Sequence, residues 1–105
     1  MEDIFKSIEN IENFSKGISE KSFMNDELRQ SAIVRQIEII WEAIKNLPED
    51  FRKKYPKIKW KEIAGTRDII IHAYFGIDFE KVWEVVKKDL PVLKKNIKDI
   101  LDKEK

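Results

Sequence analysis

The sequence predicts an all-α protein, a bundle of four or five helices with up-and-down topology. Apolar residues recur every three or four positions along most of the chain, which is the period of a helix with one buried face. No segment alternates between polar and apolar residues for long enough to predict a strand, and three glycines and three prolines are too few for a turn-rich β-sandwich. A length of 105 residues, 42% of them hydrophobic, predicts a single domain spanning residues 1–105.

Two helices are predicted in the first half of the chain. The first ends near Gly17 and Ser19, and the second begins at Asn25-Asp26, which offers an N-cap. Pro48 ends the second helix, and residues 48–59 are expected to form a short helical turn and a connection. The apolar face of the first helix consists of Ile4, Ile8, Ile11, Phe14 and Ile18, and that of the second of Leu28, Ile33, Ile37, Ile40, Trp41, Ile44 and Leu47.

The second half contains two or three more helices. A third helix is predicted from about Trp60 to Phe75, although Gly65 weakens it by about 1 kcal/mol relative to alanine. Gly76-Ile77-Asp78 is typical of a helix end followed by a new N-cap. Asp89-Leu90-Pro91 leaves two alternatives open, a cap that starts a fifth helix or a kink within one long helix. The apolar positions are Trp60, Ile63, Ala64, Ile70 and Ile71, then Phe79, Val82, Trp83 and Val86, then Leu90, Leu93, Ile97, Ile100 and Leu101.

Composition excludes several classes of protein and site. The 21 basic and 20 acidic residues nearly cancel, which argues against an acidic tail or a polycation. Without cysteine there is no disulfide, thiol nucleophile or cysteine-ligated metal, and one histidine with scattered carboxylates makes a metal site or other cofactor unexpected. The longest aliphatic run is Ile69–Ile71 and the amino terminus is acidic, so we expect a cytoplasmic protein that neither crosses nor binds a membrane.

The strongest candidate for chemistry is a group of four polar residues: Arg67, Asp68, His72 and Tyr74. On a helix Asp68 and His72 are one turn apart and within hydrogen-bonding reach. At 100° per residue, Arg67 and Tyr74 lie about 20° apart around the helix, whereas Arg67 and His72 lie about 140° apart. Arg67 and His72 can therefore share a site only across a groove, or with a second subunit contributing.

These residue types suit the cleavage of a phosphodiester without a metal. His72 could accept a proton from a ribose 2′-hydroxyl or donate one to the leaving oxygen, and Asp68 could orient its imidazole. Arg67 could hold phosphate oxygens, while Tyr74 offers a hydroxyl or an aromatic face. A structural histidine and an ordinary Arg–Asp ion pair remain the alternative, since neither residue type nor spacing is diagnostic.

The segment from Gly65 to Trp83, GTRDIIIHAYFGIDFEKVW, resembles the signature of the HEPN superfamily and, more narrowly, of the HepT toxins. The HepT motif consists of arginine, four residues, histidine, any residue and tyrosine, which Arg67, His72 and Tyr74 match. Trp60-Lys61-Glu62-Ile63 upstream and Asp89-Leu90-Pro91 downstream also fit the family, so the likeness covers the carboxy-terminal half of the chain.

This resemblance implies a ribonuclease toxin of a type VII toxin–antitoxin system with a helical-bundle fold. Such toxins are homodimers that bring two motifs into one cleft, and cleavage is assigned to the residues equivalent to Arg67 and His72. Their antitoxin is a nucleotidyltransferase of the MNT or MntA type that transfers AMP to the motif tyrosine, here Tyr74. The alternative within the superfamily is a non-catalytic helical partner that presents substrate to a nucleotidyltransferase.

Residues 51–61, the basic segment, are a second candidate for function. This segment has six cations in eleven residues and no acid, whereas the rest of the chain is acidic by about five charges. Such a cluster can bind the RNA backbone, and its aromatic residues can stack on bases. The alternative is a solvated, lysine-rich connection. The cations are Arg52, Lys53, Lys54, Lys57, Lys59 and Lys61.

Overall fold

The fold is taken from a computed structural model, which describes residues 1–71 and 77–104, with the side chains of 67–69 and 71 outside the description. No strand occurs in these two ranges, and the all-α prediction is confirmed. None of the helices described there is long and apolar enough to cross a membrane. The helices are α1 (Glu2–Ser15), α2 (Glu20–Met24), α3 (Glu27–Lys45), α4 (Glu49–Lys54), α5 (Trp60–Ile71) and α6 (Phe79–Glu84), followed by a π-helical segment (Val85–Asp89) and α7 (Leu90–Lys103).

The long helices alternate in direction, as an up-and-down bundle requires. Near the end of α1 the Phe14 carbonyl accepts a hydrogen bond from the Arg29 guanidinium at 3.0 Å, and earlier in α1 Asn10 bonds Gln36 at 3.4 Å, so α1 and α3 are antiparallel. α5 is antiparallel to α3. It starts beside α4, which follows the end of α3, and it ends beside α6, which contacts α2 just before the start of α3. α7 packs antiparallel to α1, since Lys94 near the start of α7 lies 2.7 Å from Glu12 near the end of α1. The innermost side chains are Ile4, Ile8, Ile11, Phe23, Ile33, Ile37, Ile40, Ile44, Ile70, Val82 and Ile97.

The connection between α1 and α3 differs from the prediction. α1 ends at Ser15, two residues early, because Lys16 is extended and Gly17 adopts a left-handed φ of 76°. Ser19 was predicted to mark a helix end but instead caps the short helix α2, accepting the Ser22 N–H at 3.1 Å. α2 could not be predicted from the spacing of apolar residues, because five residues are too few to show a helical repeat.

The start of α3 confirms one prediction and corrects another. Asp26 is the N-cap, and its carboxylate accepts the Arg29 N–H at 3.0 Å. Leu28, assigned to the apolar face, is 83% exposed, so that assignment is wrong. Leu28 lies in the first turn of the helix, on a side that the described residues leave exposed.

Residues 79–103 form one continuous helical stretch, which settles the alternative left open at Pro91. Proline lacks an N–H, and its ring crowds the carbonyl four residues earlier. Directly before Pro91 the helix widens into the π-helical segment, where the Leu90 N–H donates to the Val85 carbonyl, five residues back. Pro91 therefore alters the winding of the helix without ending it.

Candidate active site

The first half of the Arg-His-Tyr motif lies on α5. The backbone of α5 is helical through Arg67 and Asp68, so the angles of 100° per residue apply to this part of the motif. Their side chains lie outside the description, and so do all atoms of His72 and Tyr74. The pairing of Asp68 with His72 and the roles of all four residues therefore stay predictions.

The start of α5 is anchored by Trp60. The indole N–H of this 7% exposed side chain donates to two backbone carbonyls, those of Arg52 at 3.1 Å and Tyr55 at 3.2 Å. Ile58, 4% exposed, packs into the same core. The helix that carries Arg67 is thus hydrogen-bonded at its start to the end of α4.

The chain is also anchored on both sides of residues 72–76. Ile70 is buried at 1% exposure, and its carbonyl accepts the Asp78 N–H at 3.1 Å. The Asp78 carboxylate accepts the Lys81 N–H at 3.1 Å and so caps α6. Two separate hydrogen bonds at Asp78 therefore join the end of α5 to the start of α6.

One face of α5 is open. Lys61, Ala64 and Gly65 on this face are exposed, and a methyl group built on Gly65 would meet no atom of the described residues within 4 Å. Asp68 follows Gly65 by three residues and Ala64 by four, so its Cα lies on the same side of the helix. Another macromolecule could approach the helix closely at Ala64 and Gly65, because these two residues are small.

The structure divides the basic segment between α4, the connection and α5. On α4, Lys53 lies 3.5 Å from Glu49, and Lys54 lies 3.0 Å from Glu104 near the end of α7. Lys59 is 4.0 Å from Glu62, with both side chains about three-quarters exposed. Lys57 and Lys61 are exposed and form no ion pair within residues 1–71 and 77–104.

Arg52, the remaining cation, has a different environment. Its Nε atom is buried and has no hydrogen-bond partner among the residues described. Its backbone carbonyl accepts from Trp60. Arg52 is therefore part of the packing between α4 and α5 and less available to a ligand than the lysines that follow it.

Glu104 neutralises part of the basic segment. Its carboxylate accepts hydrogen bonds from the Tyr55 hydroxyl at 2.7 Å and the Lys54 ammonium at 3.0 Å. The Tyr55 hydroxyl and then Lys54 hold the pKa of Glu104 below its usual value, and Glu104 in turn raises the pKa of both partners. Sequence reasoning missed this contact because 49 and 50 residues separate the groups.

Comparison with known proteins supplies the family. The family model described as "Ribonuclease HepT-like" matches residues 4–100. The chain belongs to the HepT-like ribonuclease family. The resemblance carried by the motif is thereby confirmed, and Arg67, His72 and Tyr74 all lie within the matched residues.

Relatives of this HepT-like chain carry related names. It is 48% identical over its full length to 94% of a protein of Caldanaerobacter subterraneus subsp. tengcongensis named "Putative RNase". It is 48% identical, over 90% of its length and 86% of the relative, to "Probable ribonuclease HepT" of Thermococcus cleftensis. It is 52% identical over 94% of its length to 45% of a Methanocaldococcus jannaschii protein named "Gamma-glutamylcyclotransferase and putative RNase". No solved structure matches it significantly.

Residues with metal-binding side chains do not cluster in the described part of this HepT-like chain. No group of three or more histidine, aspartate or glutamate side chains there could hold a metal ion. The candidate site thus consists of the motif on and after α5, the open face of that helix, and the lysines of the basic segment.

Proposed function

We propose that this chain is a metal-independent endoribonuclease and the toxin of a type VII toxin–antitoxin system. The observation that carries the proposal is the complete Arg67-His72-Tyr74 motif inside a chain that belongs to the HepT-like ribonuclease family. The exposed lysines next to α5 support it, since RNA binding depends on phosphate contacts.

The proposed reaction is attack by a ribose 2′-hydroxyl on the adjacent phosphorus. His72 takes the proton from the hydroxyl, the 2′-oxygen bonds to phosphorus, and the bond to the 5′-oxygen breaks. The protonated His72 then gives this proton to the leaving 5′-oxygen, and the products are a 2′,3′-cyclic phosphate and a 5′-hydroxyl end. Arg67 stabilises the charge that builds on the phosphate oxygens, and Asp68 orients the imidazole.

The proposed active species is a homodimer. In one cleft, His72 of one chain can act as base and then as acid beside Arg67 of the other chain. A second subunit also resolves the separation of about 140° between Arg67 and His72 on a single helix. The open face at Ala64 and Gly65 would let another chain or the RNA approach α5.

The proposed control is AMP transfer to Tyr74 by an MNT- or MntA-type nucleotidyltransferase. AMP units on this hydroxyl would place negative charge where the RNA phosphate has to bind, and bulk at the mouth of the cleft. The antitoxin would thereby exclude the substrate without unfolding the toxin.

Cleavage by the purified chain tests the catalytic proposal. Wild type, freed of any AMP, is expected to cut RNA in the presence of a metal chelator, whereas His72→Ala and Arg67→Ala should lose most of the activity. Circular dichroism checks that the variants fold. Equal cleavage by wild type and His72→Ala would overturn the assignment, and no cleavage by wild type would favour the non-catalytic partner.

Intact mass after co-expression with the nucleotidyltransferase tests the regulation. The chain should gain multiples of one AMP, and Tyr74→Phe should abolish the gain. Tyr55→Phe is the matched control because Tyr55 is the other tyrosine and its hydroxyl already donates to Glu104. If Tyr55→Phe abolishes the gain and Tyr74→Phe does not, the modification site is wrong.

A further inference from the structure

A groove separates α5 from the π-helical segment and α7. It is open to solvent, with a volume of about 370 Å³. One wall comprises the connection before α5 and α5 itself, the other the π-helical segment and α7, and buried residues of α3 lie at its base. Thr66 lines the groove, and Arg67 of the proposed active site is the next residue along the chain.

Lysines lie on both walls of the groove. Lys57 and Lys59 line it from the basic segment, and Lys88 lines it from the π-helical segment. Two acids, Glu62 and Asp89, also line it. Within the two described ranges Lys57 and Lys88 form no ion pair, so both ammonium groups are available to an anion.

The space between the lysines is apolar. Ile63 is half-buried and Val92 is 62% exposed, and both line the groove. Thr66 and Asn96 add hydrogen-bonding groups. Cationic rims around an apolar base suit single-stranded RNA, because its phosphates can meet the lysines while an unstacked base or ribose covers the apolar side chains.

A second copy of the chain suits this groove less well. In a two-fold symmetric contact the same surface meets itself, so the net positive charge of the groove, three lysines against two acids, would meet an equal net positive charge. Like charges facing each other across an interface disfavour that contact. Charge therefore favours an anionic ligand over a copy of this chain.

We propose that this groove binds the single-stranded RNA that flanks the scissile phosphate, with Lys57 and Lys88 as phosphate contacts on opposite walls. The inference rests on the proposed ribonuclease function and extends its binding surface beyond the basic segment. The role of Lys88 could not be predicted from the sequence, because Lys88 lies 31 residues from Lys57 in the chain and lines the same groove only in the folded bundle.

Fluorescence anisotropy with a short, labelled 2′-O-methyl RNA strand tests the groove. The 2′-O-methyl group permits binding but blocks attack by the 2′-oxygen, so wild-type protein can be titrated. Lys57→Gln and Lys88→Gln should each weaken binding about tenfold, the value expected for one charge-assisted hydrogen bond. Each should also reduce the slope of log affinity against log salt by about 0.7. Lys98→Gln, on the exposed side of α7 and outside the groove, is the matched control and should match wild type.

The outcomes separate this inference from the proposed function. If wild type cleaves RNA while both groove variants bind the strand as wild type does, the proposal of RNA binding in the groove is wrong and the proposed ribonuclease function stands. If the variants lose RNA affinity but wild type cleaves no RNA, the groove stands and the catalytic proposal fails. A change in oligomeric mass, measured by light scattering, with unchanged RNA affinity would make the groove a protein interface and overturn the proposal.

Discussion

Asp78 is the residue that joins the end of α5 to the start of α6. Its backbone N–H bonds the Ile70 carbonyl, and its side chain caps the following helix. Asp78→Ala removes the cap and should lower the free energy of unfolding by about 1 kcal/mol. Asparagine caps equally well, so Asp78→Asn should stay close to wild type in urea denaturation. An equal loss in both variants would show that the cap does not stabilise the fold.

Gly65 lies in the interior of α5 with open space where a side chain would be. Because glycine is a poor helix former, Gly65→Ala should raise the free energy of unfolding by about 0.5 to 1 kcal/mol. Gly17→Ala is the contrasting variant and should be destabilised, since its φ of 76° is strained for alanine. Urea denaturation measures both, and a loss of stability in Gly65→Ala would contradict the open face.

At the scale of elements, Phe23 connects the short helix α2 to α6. It is fully buried, with its ring centroid 6.3 Å from that of Phe79 and 5.1 Å from that of Trp83. Phe23→Ala should therefore cost about 3 to 5 kcal/mol of stability. Phe14→Ala, at a position 37% exposed, should cost much less by the same thermal unfolding measurement. Similar losses would show that α2 does not belong to the core.

The contact between Glu104 and the basic segment should make the end of α7 sensitive to acid. The pKa of Glu104 is lowered in the folded chain, so its contribution to stability is present above its ordinary pKa of 4.5 and is lost as pH falls through the lowered value. Glu104→Gln should therefore speed amide exchange at the end of α7 at neutral pH, with the difference from wild type vanishing in acid. Glu49→Gln, in a pair exposed on both sides, should change nothing. A difference that persists below the lowered pKa would contradict this link.

At the scale of the whole molecule, the proposed dimer predicts complementation between inactive chains. Arg67→Ala and His72→Ala are each expected to be inactive alone. When co-refolded, about half of the dimers should contain one chain of each kind, and a cleft that draws on both chains then keeps one intact arginine and one intact histidine. RNA cleavage should return in the mixture. No recovery despite mixed dimers in native mass spectrometry would place each site within one chain.

The helical class and most helices could be predicted from the sequence because they depend on local properties. The spacing of Ile33, Ile37 and Ile44 makes one helical face apolar. Asp26 caps α3 by accepting the backbone N–H of Arg29, only three residues further along the chain. Such preferences act over one or two turns. The motif at Arg67, His72 and Tyr74 could be found for a related reason, since its residues and spacing are contiguous in the chain and identify the family without reference to any contact.

Tertiary structure alone decided what depends on residues distant in the chain. Leu28 has an apolar side chain at a helical position, yet it is 83% exposed among the residues that the structure describes. Pro91 could start a helix or kink one, and in the folded chain the helix continues through the π-helical segment with core residues on both sides of it. Glu104 pairs with Lys54, and Lys57 and Lys88 share a groove, because packing brings together residues that no local period relates. The sequence by itself therefore determined the helical class, most of the helices, the family and the candidate catalytic residues. Which charges remain free beside those residues was decided by long-range packing, because a charge is neutralised only by the groups that folding places within reach of it.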